Sequence, residues 1–230
     1  MREIKLLSAL LDYPSGELQQ HAGELLDVVE QSPNLCKRSR HRLAALIVFI
    51  RDADLIELQS TYVGLFDRSR TLSLHLFEHV HGEARDRGQA MVELMEIYQN
   101  EGFEISSREL PDYLPLFLEF CSRQAPDTAI DWMQRSGHLL QEMEARLSAR
   151  NSPYAAAFQA LLDLTGLPEA GSDFHDKIHR EPADDTPDAL DRAWEEEPVT
   201  FGPGAAACGS VKTDSGQAVP VDVSNLGRPV

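Results

Sequence analysis

Leu43-Ala44-Ala45-Leu46-Ile47-Val48-Phe49-Ile50 ends a segment that opens on a basic turn, Lys37-Arg38-Ser39-Arg40. The run is apolar on nearly all sides of a helix, which predicts a place in the middle of a helical bundle. The flanking sequence repeats the theme in both directions. Upstream, Ser32-Pro33-Asn34 breaks a helix that Ser15 caps and whose inner face is Leu18, Ala22, Leu25 and Val29. Before it, Ile4, Leu7 and Leu11 form a short stripe that stops at Asp12-Tyr13-Pro14.

Downstream, Asp54 and Glu57 have the spacing of a capping pair, and they open a helix carrying Leu55, Leu58, Tyr62, Leu65 and Phe66. Met91, Leu94, Met95 and Tyr98 mark a fifth helix that stops near Gly102. Tyr113-Leu114-Pro115-Leu116-Phe117-Leu118-Glu119-Phe120-Cys121 is again apolar all round, with Pro115 in the first turn, where a missing N–H does little harm. Asp127 is expected to cap a long helix with Ile130, Met133, Gly137, Leu140 and Leu147 facing inward. Ser152-Pro153 opens the last helix, through Tyr154, Phe158, Leu161, Leu162 and Thr165 to a stop at Gly166. No segment shows sustained two-residue alternation with β-branched enrichment. The expectation is an all-α fold, a single bundle of about eight helices over residues 1–168.

Residues 169–230 differ in character. Residues 171–230 hold 5 basic and 12 acidic side chains, and the last 30 residues hold five Gly and three Pro. Such a segment buries too little surface to offset its ordering entropy, so an acidic, disordered C-terminal tail is expected. Within it, Asp188 to Glu197, with Leu190 and Trp194, has the makings of a transient helix.

The 230-residue chain sets 21 Lys+Arg against 38 Asp+Glu, a formal net charge of −17. A phosphate backbone repels that surface, which excludes nucleic acid and favours a basic or apolar partner. Cys36, Cys121 and Cys208 are scattered and form no C-x-x-C, as expected of reduced thiols. Cys36 lies beside Lys37, Arg38 and Arg40, though a buried structural thiol is the favoured reading. The start of the chain lacks the apolar run of a signal peptide, and no stretch is apolar enough for direct membrane insertion. A cytoplasmic protein is expected.

His75-Leu76-Phe77-Glu78-His79 matches the H-x-x-E-H pattern of inverted zinc proteases, with His75 and His79 on one helical face and Glu78 as general base. No third ligand announces itself, and a polar turn with hydrogen-bonded histidines is the simpler reading. There is no G-x-S-x-G, no Walker-type loop and no G-x-G-x-x-G. The expectation is therefore of no enzyme. Tyr62-Val63-Gly64-Leu65-Phe66-Asp67 and Leu110-Pro111-Asp112-Tyr113-Leu114-Pro115 each mix rings, aliphatics and a carboxylate. They suit a groove for an amphipathic guest helix, with rim carboxylates meeting its basic side chains. For Tyr62, Leu65 and Phe66 plain core is the competing reading. Asp112, next to Pro111, is expected at the surface as a cap or as the partner of a guest cation.

Four ordered blocks carry a resemblance. They are Leu6-Leu7-Ser8-Ala9-Leu10-Leu11-Asp12-Tyr13-Pro14, Tyr62-Val63-x-Leu65-Phe66-Asp67-Arg68, the run from His75 to Gly88, and Glu109-Leu110-Pro111-Asp112-Tyr113-Leu114-Pro115. Over about residues 3 to 168 the chain resembles the NarJ-type nitrate reductase molybdenum cofactor assembly chaperones (delta subunits). These fall within the all-helical TorD/DmsD-like redox-enzyme maturation chaperones. The resemblance implies binding rather than catalysis. It implies that the chain holds the N-terminal segment of the apo catalytic subunit of respiratory nitrate reductase before membrane docking. In that state iron–sulfur and molybdenum bis-guanine-dinucleotide cofactors are inserted, and the chaperone itself binds no cofactor stably. Glu109-x-Pro111-Asp112-Tyr113 corresponds to the wider family's E-P-x-D-H box, here with Leu110 added and Tyr113 in place of His. The client-peptide-binding set so implied is Tyr62, Leu65, Phe66, His75, His79, Asp112, Tyr113 and Leu116. The alternatives are a helical adaptor for another amphipathic peptide and the zinc hydrolase using His75, Glu78 and His79.

Overall fold

Helix is the only regular secondary structure among the described residues, because apolar side chains recur at three- and four-residue spacing along nearly the whole chain. The structure, a computed structural model, describes residues 1–191 except 82–84, 106–108, 179, 182, 183, 185, 187 and 190. Twelve α-helices are present among these. They are α1 (Arg2–Leu11), α2 (Gly16–Gln20), α3 (Ala22–Gln31), α4 (Lys37–Asp52), α5 (Leu55–Tyr62), α6 (Leu76–His81), α7 (Arg85–Asn100), α8 (Leu114–Arg123), α9 (Pro126–Arg135), α10 (Gly137–Ala149), α11 (Ala155–Thr165) and α12 (Ser172–Ile178).

Eight expected helices become twelve for local reasons. The helix after Ser15 breaks at His21, so α2 and α3 are separate, although Ser15 caps α2 as expected by accepting from Leu18 N–H at 3.2 Å. The helix expected from Asp127 is two, broken at Ser136-Gly137, a pair with poor helix propensity. Asp127 is not its cap, since the helix starts one residue earlier with Pro126 in its first turn. Gly137 faces inward, and a Cβ there would lie 2.6 Å from Leu167 Cδ1. The remaining additions are the short helices α6 and α12. Asp54 caps α5 by accepting from Ile56 and Glu57 N–H at 3.0 and 3.1 Å. Residues Val63–Asp67 continue α5 as a π-helical turn, and Arg70–Leu72 form a 3-10 turn.

The centre of the bundle is α11, not the 43–50 run. Ten of its residues are buried, from Ala155 through Leu164 and Thr165, and it packs against α1, α4, α9 and α10. Its alanines let four neighbours approach closely, and Gly166 ends it in the left-handed region at φ 69°. Helix α4 lies to one side, burying Leu43, Leu46, Ile47 and Ile50 while Val48 and Phe49 are each 37% exposed. Cys36 is exposed rather than buried and caps α4 by accepting from Ser39 N–H. Cys121 is buried in α8, and burial pushes its thiol up to about 12.

Helices α1 and α8 pack together, with the Ser8 hydroxyl donating to the Pro115 carbonyl at 2.7 Å. Helical structure continues past residue 168, where the tail was expected to start, because α12 packs on α10 and buries Ile178. Trp194 and the rest of the expected tail lie outside the described residues, as do Gly82, Glu83 and Cys208.

Candidate functional site

An antiparallel bridge between His75 and Tyr113 joins two of the blocks singled out in the sequence. Leu76 N–H donates to the Asp112 carbonyl at 3.0 Å, and Leu114 N–H donates to the Leu74 carbonyl at 2.8 Å. The segment ahead of α6 is thereby fastened to the first turn of α8.

Asp112 lies beneath this bridge and is 0% exposed. Its carboxylate accepts from Phe77 N–H at 3.1 Å and from His75 Nδ1 at 3.3 Å, with the Arg87 guanidinium 3.8 Å away. Arg87 also pairs with Glu78 at 3.1 Å, and the Ser73 hydroxyl donates to the other Glu78 oxygen. His79 Nε2 donates to the Ser73 carbonyl at 2.8 Å. The hydrogen bond to Asp112 raises the His75 imidazole above its ordinary range, against the opposing effect of partial burial. The expected surface role of Asp112 is thus corrected. A buried carboxylate needs its own partners, and Asp112 finds them inside the protein.

Tyr113 leads away from the bridge to a second polar chain. Its hydroxyl donates to Asp12 Oδ1 at 3.2 Å and stands 2.8 Å from the Tyr62 hydroxyl, which donates to the Leu11 carbonyl at 2.9 Å. Burial raises both phenols far above their ordinary range, so they remain neutral hydrogen-bonding groups. Tyr62 stacks obliquely on Phe66 at 4.9 Å, and Phe66 meets Tyr154 edge-on at 5.3 Å. Tyr62 and Phe66 are therefore core, as the competing reading had it, with Leu65 half-buried against the same core.

Two clefts open on different faces of α8. The first, about 200 Å³, is lined by Tyr113, Leu116 and Phe103 with four carboxylates, Asp12, Glu104, Glu109 and Glu119. Glu119 is already engaged by Lys5 and Arg123, while Glu104 and Glu109 make no ion pair among the described residues. The second, about 350 Å³, is apolar, with Leu76, Phe77, Val80, Leu94, Ile97, Phe117 and Trp132 in its walls. Tyr62, Leu65, Phe66, His75, His79 and Asp112 line neither. His75 stands between the two polar chains, its ring 5.4 Å from that of Tyr113.

Sequence reading missed Asp12, Arg87 and Ser73 as site residues, although Asp12 and Arg87 lay inside quoted blocks. It also missed Glu104, Phe103 and Glu119, which carry no local signal. His75 precedes α6 rather than sharing its face with His79, and both rings spend a nitrogen on protein acceptors. Among the described residues no group of three or more His, Cys, Asp or Glu is placed to hold a metal ion. The geometry offers two clefts and a buried polar frame beside them.

The fold defines an all-helical bundle protein, and comparison with known proteins gives its family. The family profile described as nitrate reductase delta subunit matches residues 32–160, and the chain belongs to that family. It is 44% identical over 204 residues to the nitrate reductase molybdenum cofactor assembly chaperone NarJ of Escherichia coli (strain K12), covering 87% of this chain and 85% of that protein. It is 38% identical over 211 residues to the probable chaperone NarW of the same organism, covering 91% and 88%. A probable NarJ of Bacillus subtilis (strain 168) is 28% identical over 156 residues, covering 68% and 84%. These relatives are assembly factors rather than enzymes. No helix among the described residues is long and apolar enough to cross a membrane.

Proposed function

We propose that this chain is an assembly chaperone for a respiratory nitrate reductase and that it grips the N-terminal segment of the apo catalytic subunit. The client is held open while molybdenum and iron–sulfur cofactors are inserted, in the cytoplasm and before membrane docking. The chaperone holds no cofactor of its own. The relatives named as molybdenum cofactor assembly chaperones support the general role. The observation that carries the finer reading is the carboxylate-lined cleft at Tyr113 and Leu116, with an apolar cleft on another face of the same helix.

A basic amphipathic helix matches both surfaces. The net charge of −17 draws it in at long range, and Glu104 and Glu109 meet its cations. Its apolar side chains then leave water in the second cleft, which supplies most of the affinity. Within the expected set, Tyr113 and Leu116 face the guest, with His75 beside Tyr113 and with Leu65 and His79 at the margins. Tyr62, Phe66 and Asp112 act from behind by holding those groups in place.

Calorimetry with a synthetic peptide of the catalytic subunit's N-terminal segment tests this directly. Saturable binding that weakens when Tyr113 or Leu116 is replaced by Ala is the expected result. Capture from cells of some other amphipathic segment, with no heat from this peptide, would leave a helical adaptor of different specificity.

A further inference from the structure

The segment that delivers Ser73, His75 and His79 to the site has little structure of its own. Between the π-helical turn and the bridge it makes only the 3-10 turn Arg70–Leu72. A turn that short leaves its first N–H groups without partners inside it. One of them, the Thr71 N–H, is satisfied from a distant part of the chain. The Asp184 carboxylate accepts from the Ser69 hydroxyl at 2.9 Å, from Thr71 N–H at 3.0 Å and from the Thr71 hydroxyl at 2.8 Å. It also pairs with Arg150 Nη2 at 2.8 Å.

The approach to Asp184 is itself fastened down. Helix α12 lies on α10 with Ile178 buried, and Glu181 then pairs with Arg146 of α10 at 3.2 Å. Among the described residues, α12, Glu181 and Asp184 thus make a strap of contacts that runs over α10 to the 69–71 turn. The strap lies beyond residue 160, where the match to the family profile ends. Burial would push the Asp184 carboxyl up, but the Thr71 N–H, the two hydroxyls and Arg150 together hold it below the usual carboxylate range.

We propose that Asp184 is a positioning residue for the client site: through Ser69 and Thr71 it sets where residues 73–79 sit, and hence how well the His75–Tyr113 face accepts its guest. The role rests on the client reading given above. Ser69, Leu72, Ser73 and Leu74 are all buried, so slack in the 69–71 turn passes into the bridge rather than being absorbed in a loose surface loop. Four donors converging on one carboxylate fix direction as well as distance, which a purely apolar strap would not do.

The test uses the full chain carrying Asp184→Ala or Arg150→Gln, with Glu181→Gln as a control that loosens the strap away from the turn. Hydrogen–deuterium exchange and calorimetry with the synthetic N-terminal peptide are measured on each. Asp184→Ala is expected to speed exchange of residues 69–79 by about tenfold and to weaken the peptide severalfold, while α1 and α8 keep their protection. Arg150→Gln gives the same pattern at smaller amplitude and serves if Asp184→Ala does not fold, and Glu181→Gln leaves residues 69–79 nearly unchanged. Faster exchange confined to residues 172–184, or looser 69–79 amides with unaltered peptide affinity, overturns the role. A wild-type chain that ignores the peptide defeats the client reading instead, and the exchange measurement then decides on its own whether Asp184 governs residues 69–79.

Discussion

The two clefts on α8 differ in what surrounds them as much as in what lines them. The acidic one is built from the ends of elements, with Asp12 after α1, Glu104 and Glu109 in the segment after α7, and Tyr113 and Leu116 at the start of α8. The apolar one is built from helix faces, with Leu94 and Ile97 of α7, Phe117 of α8 and Trp132 of α9. Carboxylates need water or partners and so gather where chain ends reach solvent, whereas a face repeating every three to four residues makes a continuous apolar wall. On the proposed client reading the difference amounts to a division of labour, with charge guiding the encounter and apolar contact setting residence.

Four experiments break or sharpen that contrast, and they run from large effects to small. The largest strikes the frame common to both clefts. Asp112→Ala takes the acceptor from His75 and from Phe77 N–H and leaves Arg87 with Glu78 alone, and should cost about 3–5 kcal/mol in urea unfolding. An unchanged unfolding midpoint would show that the buried carboxylate holds nothing. Next, Val80→Asn places a neutral polar group on the exposed wall of the apolar cleft. Peptide affinity should fall by about 1.5–3 kcal/mol with salt dependence little altered, and an equal fall for Glu109→Gln would erase the division of labour.

Tyr113→Phe removes the hydroxyl that reaches both Asp12 and Tyr62. It should lower stability by about 0.5–1.5 kcal/mol by thermal unfolding, since one phenol loses a partner without leaving a cavity. Glu109→Gln should be the mildest at equilibrium, about 0.2–1 kcal/mol, with the loss showing as slower association at low salt in stopped-flow mixing. Titration adds a sign. Because the hydrogen bond to Asp112 raises the folded-state pKa of His75, its contribution is complete below about pH 6.5 and is lost as pH rises through the raised value. The urea midpoint should therefore drop on going from pH 6 to above that value, and His75→Gln should flatten the drop. A drop that survives His75→Gln belongs to another group.

Helix positions and several ends were legible because their causes are local. The cap at Ser15, the cap at Asp54 and the stop at Gly166 each depend on a few adjacent residues. The missed breaks at His21 and Ser136 are also local, but neither residue forbids helix as Pro does. The centre of the bundle was not legible. The bulkiest run, 43–50, looked most buried, yet the middle went to α11, whose alanines allow neighbours on all sides. Eight successive apolar residues told only that one side would be buried, since a folded surface tolerates exposed Val48 and Phe49.

The site divides the same way. His75 stood out in the sequence through the H-x-x-E-H pattern, Tyr113 through a stretch mixing rings, aliphatics and a carboxylate, and Leu116 through the family resemblance. That Asp112 turns inward to Phe77 N–H while Asp12 reaches Tyr113 was decided only on folding.

The sequence by itself determined that the chain is helical, strongly acidic and without a catalytic constellation, because periodicity, charge and motif spacing are properties of neighbouring residues. The tertiary structure decided which helix is central, which carboxylate is buried and which segments meet at the bridge. Those outcomes depend on contacts between residues far apart in the chain, such as Asp184 with Thr71, whose energy exists only once the intervening helices have packed.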